Sequence, residues 1–348
     1  MAGLLSAPER IPDAAGRPCL GTYQGEVGEV RLEALVGVER VSRWRLSFRR
    51  KAWVYTLVTT PEVILAAAVV DLAYASHAFL TVVDLREKRA LVDFGAVGLA
   101  GPLAHVNARP GPGMEAHFWT AGARFAFCRP RTAGPCRFDV ELHPLRTRGA
   151  GRVALALSLS AEGAPSPLSV VASVPGGGIN VTTKTGALRA SGMLSVGKRS
   201  VPLEGGVAGL DVTVGTPARD TAWRWAMGAG RLEDGRPIAF NLVEGINDAP
   251  GENENAVWVG AALHSLSRAR FGFGRDDALG LWQLESEAGD FALRFRPLHL
   301  HREERNLGLV RSRFWQLQGF FVGTVRAGGE VLQLADFPGV TEDQEVRW

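Results

Sequence analysis

The sequence predicts an all-β fold, arranged as two antiparallel β-barrels or sandwiches in tandem. Glycine accounts for 42 of the 348 residues, above the usual share of about 7%, and the glycines separate short apolar runs. Apolar and polar residues alternate with a period of two in many places, whereas long stretches with the 3.6-residue period of a helix are hard to find. The length suits two domains, and closing each sheet would remove its exposed edges.

The clearest single strand is Arg152–Ala161, whose sequence RVALALSLSA places its large aliphatic residues on one face. Short apolar runs predict other strands at comparable spacing. They are Val27–Val36, Trp53–Val58, Phe79–Leu85, Ala187–Val196 and Ala256–Ala261.

Two segments are compatible with either a helix or a strand. Val63–Ala75 is rich in alanine, but its β-branched residues also suit a buried strand. Asp220–Met227 begins with a possible helix N-cap, but a strand would put Trp223 and Trp225 on the same face. We predict a strand for both segments.

Two hairpins are predicted in the second half of the chain. Leu281–Phe295 contains two alternating runs separated by the turn Glu287–Gly289. Phe320–Leu334 repeats this arrangement around Ala327–Gly329, where glycine permits the positive φ that a tight turn needs.

The boundary between the domains is predicted at Val174–Gly178, because the sequence VPGGG continues neither a helix nor a strand. The chain would then consist of an N-terminal tail over residues 1–20, a first β domain over 21–178 and a second over 179–348. The basic run Arg49–Lys51 is interpreted as a solvated strand edge that discourages strand addition.

Charge and hydropathy argue against several partners and locations. The net charge is only +3 and the basic residues are scattered, so no nucleic-acid partner is expected. The start of the chain lacks the apolar run of a signal peptide, no apolar stretch approaches the ~20 residues of a membrane span, and three cysteines form no disulfide framework. We therefore expect a cytoplasmic protein with reduced thiols and no membrane span.

Motifs for common cofactors are also missing from the sequence. It contains no phosphate-binding loop, no nucleophile elbow and no HExxH zinc helix, so no cofactor is expected. His299 and His301 alternate on one strand face, with Glu303 following, and such a set is able to bind a metal. A solvent-facing polar edge strand explains the same pattern, and no metal site is predicted.

Several segments in a specific order resemble the DUF2804 family. Trp44–Leu46 and Lys51–Trp53 match its basic, tryptophan-containing segment, and the second half of the chain contains the remaining matches: Thr182–Thr185, Leu210–Gly215, Thr221–Ala226, Phe240–Leu242 and Glu252–Trp258. The chain departs from the family at Thr183 and Gln344, where relatives tend to have histidine. Any role of those histidines does not transfer to this chain.

The resemblance implies a lipocalin-like form for both β domains. DUF2804 is similar to double-lipocalin-like proteins that include carotenoid 1,2-hydratases, tocopherol cyclase and pericyclases of polyketide pathways. These relatives bind greasy, polyene-like substrates in or between barrels. Because fold alone does not determine reaction, this likeness constrains shape more than chemistry.

The segment Asn241–Trp258 is the strongest candidate for a functional site. It places eight carboxylates and carboxamides in 18 residues. A carboxyl buried in an apolar barrel has a raised pKa and is able to donate a proton near neutral pH. The candidate acids are Glu252 and Glu254; the candidate orienting groups are Asn241, Asn247 and Asn255; and Trp223, Trp225 and Trp258 offer π faces to a developing cation.

Asp211 and Lys184 are further candidates in the predicted strands. Asp211 points opposite to its apolar neighbours in LDVTV, so it is either a third acid in a cavity or an ordinary outward polar residue. Lys184 either anchors a ligand carboxylate or enolate, or lies on a solvated face. Asx turns and core packing offer a structural explanation for the asparagines and tryptophans.

These residues lead to two alternative functions. The first is a cofactor-independent hydratase, cyclase or isomerase that acts on a hydrophobic isoprenoid, lipid or polyketide-like substrate through a buried carboxyl. The second is a non-enzymatic carrier of a hydrophobic small molecule. An enzyme should have a carboxyl with an unusual pKa in its pocket, whereas a carrier should have mainly apolar walls.

Overall fold

A computed structural model describes residues 3–147, 149–306, 308 and 310–348 of the chain. The fold is almost entirely β, as predicted, and consists of a nearly closed barrel sheet and a half-barrel sheet. The only α-helix among these residues is α1, Arg43–Arg49, and single 3₁₀ turns occupy Leu32–Ala34, Gly37–Glu39 and Pro144–Arg146.

The first sheet contains fifteen strands from the first two thirds of the chain. They are β1 Leu5–Ser6, β3 Gly21–Gln24, β5 Lys51–Thr59, β6 Val63–Asp71, β7 Ala75–Asp84, β8 Arg89–Leu99, β9 Ala104–Val106, β10 Glu115–Thr120, β11 Ala123–Cys128, β12 Cys136–Leu142, β13 Val153–Ser160, β14 Leu168–Ser173, β15 Ile179–Val196, β16 Arg199–Pro202 and β17 Gly206–Gly215. The main path runs β8-β7-β6-β5-β17-β15-β13-β12-β11-β10-β9, and all its neighbouring strands are antiparallel.

The second sheet contains nine antiparallel strands in the order β23-β22-β19-β18-β28-β27-β26-β25-β24. They are β18 Asp220–Arg231, β19 Pro237–Glu244, β22 Ala256–Val259, β23 Ala262–Ser265, β24 Ala269–Gly272, β25 Trp282–Ser286, β26 Phe291–Asn306, β27 Arg311–Ala327 and β28 Glu330–Arg347. Two short ladders lie outside the large sheets: β2 Arg10–Ile11 with β4 Glu29–Val30, and β20 Asp248–Ala249 with β21 Glu252–Asn253.

Three separate apolar clusters hold the fold together. One fills the first sheet and includes Val54 and Leu65, and another fills the second sheet and includes Phe240 and Phe295. The third contains Tyr55 and other side chains from both sheets. The two sheets therefore pack against each other through this third cluster, which we call the shared layer.

The shared layer explains why some strands show no alternation in sequence. In β6 the side chain of Leu65 belongs to the first core, whereas its neighbours Ile64 and Ala66 belong to the shared layer. A strand with two buried faces reads as a continuous apolar run. The strands predicted within Val63–Ala75 and Asp220–Met227 are both present, and so are the two predicted hairpins.

The segment predicted as a strand at Val27–Val36 is different. Only β4 is extended there, and a 3₁₀ turn follows it, yet Val27, Val30, Leu32 and Leu35 are all buried. The apolar residues of this segment cover the first core as a loop. Their burial, rather than strand pairing, accounts for the apolar pattern.

The predicted domain boundaries differ from the division between the sheets. The turn at Gly176–Gly178 joins β14 to β15 within the first sheet, where these two strands pair directly. The chain passes to the second sheet at residues 216–219, between β17 and β18. The predicted tail over residues 1–20 contributes β1 and β2, and Ile11 in β2 is fully buried.

The basic run Arg49–Lys51 is not a solvated edge, contrary to our interpretation. Lys51 is fully buried, and its ammonium donates to the backbone oxygens of Phe48, Arg50 and Leu72. Burial lowers its pKa to about 7. The run fails as an edge because β5 lies inside the sheet, between β6 and β17.

The cysteines Cys19, Cys128 and Cys136 are free thiols. Among the helices of the described residues, none has the length and apolar character needed to cross a bilayer.

Close contact between the two sheets depends on glycines that face the shared layer. Gly186 in β15 lies under the ring of Trp258, and a Cβ at this position would come within 2.5 Å of that ring. Trp258 is fully buried and its indole N–H donates to the Ser166 carbonyl at 3.0 Å, so the ring has no room to move away. The absence of a side chain at Gly186 therefore allows the two sheets to approach each other closely here.

We predict that Gly186→Ala lowers the free energy of unfolding by roughly 1–3 kcal/mol, because the added methyl group overpacks the shared layer. Urea unfolding monitored by circular dichroism measures this change. Gly274→Ala is the matched control, since a Cβ there meets no heavy atom within 4 Å. Equal stability of the two variants would contradict the predicted packing constraint.

Candidate functional site

A cavity of about 480 Å³ lies between the two sheets, beside the shared layer. Its wall is mainly apolar and aromatic, and both sheets contribute to it. Aromatic wall residues include Trp53 and Phe79 from the first sheet and Trp223, Trp225 and Phe314 from the second. Trp53 and Trp223 stack across the sheet boundary, with ring centroids 6.3 Å apart and planes at 10°. The cavity therefore suits a hydrophobic small molecule.

A buried lysine in this wall bridges carboxylates from the two halves of the structure. The Lys184 ammonium in β15 lies 2.7 Å from Asp211 Oδ2 in β17 and 3.3 Å from Glu254 Oε1, in the loop before β22. All three side chains are almost inaccessible to solvent and line the cavity. Lys184 also lies 5.7 Å from the ring centroid of Trp225. We call Lys184, Asp211 and Glu254 the charged triad.

Strand alternation explains why Asp211 faces the cavity. Its neighbours Leu210 and Val212 belong to the first core, so Asp211 and Thr213 lie on the opposite face of β17. The Thr182 and Thr213 hydroxyls donate to Asp211 Oδ1 at 3.2 and 3.1 Å, and the Trp53 indole donates to Oδ2 at 3.2 Å. Each oxygen of this carboxylate is therefore hydrogen-bonded.

Carboxamides hold Glu254 in place. Asn247 donates to Glu254 Oε2 at 2.9 Å, and the Asn247 carbonyl oxygen accepts from Asn180 at 3.1 Å. Asn241 donates to the Glu254 backbone oxygen at 2.9 Å and accepts from the Trp225 indole at 2.7 Å. These bonds fix the loop that carries Glu254 against both sheets.

Lys184 keeps its charge in spite of its burial. Burial acts against the cationic form of Lys184, but attraction to Asp211 and Glu254 outweighs it and raises the lysine pKa. Burial raises the pKa of Glu254, and Lys184 and Asn247 offset part of that effect. The Lys184 ammonium thus has two carboxylate partners, and one of them, Glu254, binds a proton more readily than an exposed glutamate does.

Glu342 is another buried carboxyl in the cavity wall, and it has no cationic partner within ion-pairing distance among the described residues. It lies in β28, where it accepts hydrogen bonds from the Trp223 indole at 2.8 Å and from Gln316 at 3.2 Å. Burial raises its pKa to about 7, although both hydrogen bonds favour the charged form. Such a carboxyl retains its proton at neutral pH in a large fraction of molecules.

The Tyr55 hydroxyl is close to this acid and has no hydrogen-bond partner among the described residues. Its ring packs edge-on against Trp225, with centroids 5.1 Å apart, and it lines the cavity. Burial, together with the negative charges of Glu342 and Asp211, raises the pKa of Tyr55 well above its ordinary value. The cavity therefore presents a neutral hydroxyl that is free to bind a ligand.

A chain of alternating histidines and acids extends from the cavity wall towards the surface. His77 Nε2 lies 2.8 Å from Glu303 Oε1, which lies 3.3 Å from His301 Nε2. On the other side of its ring, His301 Nδ1 lies 2.5 Å from Asp93, which also contacts His299 at 3.1 Å. His77 and Glu303 line the cavity, whereas about a third of the Asp93 side chain is exposed.

The Asp93 and Glu303 carboxylates stabilise the protonated form of His301. Burial opposes protonation of His301, but hydrogen bonds to Asp93 and Glu303 raise its pKa to about 9. The same contacts outweigh burial at Glu303 and Asp93 and lower the pKa of each acid. No group of three or more His, Cys, Asp or Glu side chains within the described ranges is arranged to hold a metal ion. β25 pairs with β26 only as far as Phe295, so His299 and His301 pair with β27 alone. This segment is not solvent-facing, however, because His301 is buried and only a fifth of the His299 side chain is exposed.

The predicted site residues separate into two groups in the structure. Those in the cavity wall are Lys184, Asp211, Trp223, Trp225, Asn247 and Glu254. Asn241 and Asn255 lie behind the wall, and Asn255 exchanges hydrogen bonds with the backbone of Val243. Trp258 packs in the shared layer. Glu252 accepts hydrogen bonds from the Ser173 backbone N–H and hydroxyl, and it is not part of the described wall.

The sequence interpretation missed Glu342, Tyr55 and the chain that begins at His77. The sequence of β28 contains a pattern that points to Glu342. Glu342 and Gln344 alternate with Thr341 and Asp343, so Glu342 and Gln344 lie on one face of the strand. Glu342 and Gln344 face the cavity, whereas the buried Asp343 carboxylate faces away and pairs with Arg313 at 2.7 Å. No comparable pattern marks Tyr55, since β5 is buried along nearly its whole length and its sequence does not alternate.

Solved structures with the same fold support the two-sheet architecture. A protein described as AttH from Nitrosomonas europaea is 15% identical and has a TM-score of 0.51; the match covers 85% of this chain and 92% of that chain. CghA is 10% identical with a TM-score of 0.54, covering 98% of this chain and 97% of that one. A structure of CghA with Sch210972 gives 9% identity and a TM-score of 0.53, with 94% and 98% covered. These likenesses show the fold alone.

Sequence comparison assigns the family. No curated protein matches the chain. The family model DUF2804, described as a domain of unknown function, matches residues 5–348. This match confirms the resemblance carried by the segments around Lys184, Asp211 and Glu254. The chain therefore belongs to the DUF2804 family.

Proposed function

We propose that this protein is a cofactor-independent hydratase, cyclase or isomerase that transfers a proton from Glu342 to a hydrophobic substrate held between the two sheets. The observation that carries the proposal is a buried carboxyl, with a pKa raised to about 7, in the wall of an apolar cavity. An isoprenoid, lipid or polyketide-like molecule suits such a wall. CghA, which has this fold, has been solved with the compound Sch210972, in agreement with a role in binding organic molecules.

The proposed step moves the Glu342 proton to one carbon of a substrate double bond or enol. The other carbon then carries positive charge. Water adds to this carbon and loses a proton, or a neighbouring C–H bond gives up its proton. An internal double bond instead forms a new C–C bond and moves the charge to a further carbon, which then loses a neighbouring proton or adds water that loses one. Each route releases one proton, and the Glu342 carboxylate accepts it back. The acid is thus restored at the end of the cycle, and no co-reactant other than water is needed.

The charged triad makes Glu254 and Asp211 less suitable than Glu342 as the proton donor. Both carboxylates are already engaged by the Lys184 ammonium, whereas Glu342 has no ion pair among the described residues. We therefore assign Lys184, Asp211 and Glu254 to holding the wall and orienting the polar end of the substrate. Glu252 has no part in this proposal, because its carboxylate bonds to Ser173.

The aromatic wall supplies stabilisation for a cationic intermediate. Trp53, Trp223 and Trp225 line the cavity, and the π cloud of tryptophan attracts a cation. The unpaired Tyr55 hydroxyl is able to accept or donate a hydrogen bond to the substrate near Glu342. These groups act without a change in their own protonation.

The first experiment identifies the substrate by mass spectrometry of small molecules extracted from the purified protein, followed by turnover assays. We predict that Glu342→Gln lowers kcat by roughly 10²- to 10⁴-fold, because it removes the proton that initiates the reaction. Glu252→Gln is the matched control and should keep full activity.

Two further variants separate this assignment from its competitors. Full turnover by Glu342→Gln would refute the assignment to Glu342. Loss of turnover in folded Glu254→Gln or Asp211→Asn, with Glu342→Gln active, would move the acid to the triad. Tight binding of the extracted molecule with no conversion would instead identify a carrier.

Stability should depend on pH through Glu342. Its folded-state pKa of about 7 lies above the ordinary value of 4.5, so the folded state holds a proton that the unfolded state releases between these values. The contribution of Glu342 to the free energy of unfolding therefore falls as the pH rises from 4.5 to 7. We predict that Glu342→Gln is more stable than the wild type by up to about 3 kcal/mol at pH 8, with little difference at pH 4. Urea unfolding at both pH values tests this, and a pH-independent difference would contradict it.

The charged triad should be structurally essential as a unit. Lys184→Met leaves two buried carboxylates without their cation, and we predict a loss of roughly 3–5 kcal/mol at pH 7. The triple variant Lys184→Met/Asp211→Asn/Glu254→Gln should recover most of this loss, because no buried charge remains unpaired. Chemical denaturation of both variants provides the measurement. A triple variant no more stable than Lys184→Met would show that the loss comes from packing.

A further inference from the structure

The helix α1 presents large apolar side chains to solvent. Trp44 and Phe48 are 67% and 58% exposed, and residues four apart lie on the same helix face. Val38, just before the helix, is 85% exposed. We call Val38, Trp44 and Phe48 the exposed patch. Exposed apolar side chains that cluster in this way are typical of interaction sites.

The surroundings of the exposed patch are basic. Residues 31–50 contain six arginines and two glutamates, in a chain with a net charge of only +3. Arg40, Arg43 and Arg45 are exposed, and the Arg45 guanidinium lies 5.6 Å from the ring centroid of Trp44. Aromatic residues beside arginines are the combination that membrane-surface helices use to bind anionic lipids.

The patch is rigidly attached to one end of the cavity. The Arg49 guanidinium donates to the Gly177 carbonyl at 2.8 Å, which fixes α1 to the first sheet. At the C-terminal end of α1, the Phe48 carbonyl accepts from Lys51, whose ammonium lies 4.8 Å from the ring centroid of Tyr74 and 5.4 Å from that of Trp348. Tyr74 and Trp348 line the cavity.

We propose that the exposed patch and the arginines around it dock the protein on the surface of an anionic lipid bilayer. Docking would place the Tyr74 and Trp348 end of the cavity next to the membrane, where hydrophobic molecules are stored. This role goes beyond the proton transfer proposed above, and the docking itself does not depend on that chemistry.

A bilayer fits this surface better than a protein partner or a second copy of the chain. Stable protein interfaces bury roughly 800 Å² on each partner, and charged residues are depleted from their centres. Here Trp44 and Phe48 lie among the arginines of a seven-residue helix, and Val38 precedes it. Lipid phosphates are able to pair with Arg43 and Arg45 while Trp44 and Phe48 enter the headgroup region.

Co-sedimentation of the full chain with vesicles tests the proposal. We expect the protein to bind vesicles of phosphatidylcholine that contain a quarter phosphatidylglycerol. Its affinity for vesicles of phosphatidylcholine alone should be lower by roughly tenfold or more. The variants Trp44→Ser/Phe48→Ser and Arg43→Gln/Arg45→Gln should each lower the affinity for anionic vesicles by roughly tenfold or more. The matched control is Trp119→Ser/Leu145→Ser, which removes apolar side chains that are 43% and 89% exposed elsewhere.

Three results would overturn the proposal. The first is a lack of binding by the wild type to anionic vesicles. The second is equal binding by the wild type and the two α1 variants, with thermal unfolding showing that all are folded. The third is a dimer, seen by sedimentation velocity without vesicles, that Trp44→Ser/Phe48→Ser abolishes, since a second copy would then occupy the patch.

The failure of this proposal is distinguishable from failure of the proposed enzyme activity. Glu342→Gln should bind anionic vesicles as the wild type does, because Glu342 lies in the cavity wall. Trp44→Ser/Phe48→Ser should retain turnover of substrate supplied in solution. Each property is therefore measured in a variant that leaves the other unchanged.

Discussion

Packing of the two sheets across the shared layer is the constraint on which the cavity and its buried charges depend. Each sheet has its own apolar core, so neither needs the other to fill its interior. The third cluster contains side chains from both sheets, and the cavity lies beside it. The site is therefore built between two complete units rather than inside one of them.

Burial in this common interior has different effects on different acids. Asp211 and Glu254 share the Lys184 cation, and Asp93 and Glu303 share His301. Within the described part of the chain, Glu342 receives hydrogen bonds but forms no ion pair, and burial raises its pKa. The local partners, rather than the degree of burial, distinguish a structural carboxylate from a candidate proton donor.

The sequence predicts the class of fold and part of the cavity wall because both follow from local alternation. The pattern of Leu210 and Val212 shows which face of β17 is apolar, and so where Asp211 points. The density of carboxamides in Asn241–Trp258 identifies a segment that supports the wall, although Trp258 itself packs in the shared layer. These signals come from residues close together in the chain.

Features that depend on long-range pairing were not predictable in this way. The division between the sheets lies after β17 because β15 and β17 pair with strands of the first sheet, and a glycine-rich turn gives no information about that pairing. Tyr55 and Glu342 line the same cavity only because the two sheets pack against each other. The link between His77 and Glu303 joins residues 226 positions apart.

The β-bulge in β28 has a consequence for how this site is inherited. Phe321 of β27 pairs with Phe337, but Gly323 pairs with Leu334, so β28 has one extra residue near Asp336. The bulge absorbs this residue, so Leu334 and Phe337 both face the second core although they are three positions apart. Regular alternation from Leu334 onward, with the same residues, would turn Asp343 rather than Glu342 to the cavity. The acid that faces the cavity is thus specified by the bulge as well as by residue identity, and the acids of homologues should be compared only after this bulge has been aligned.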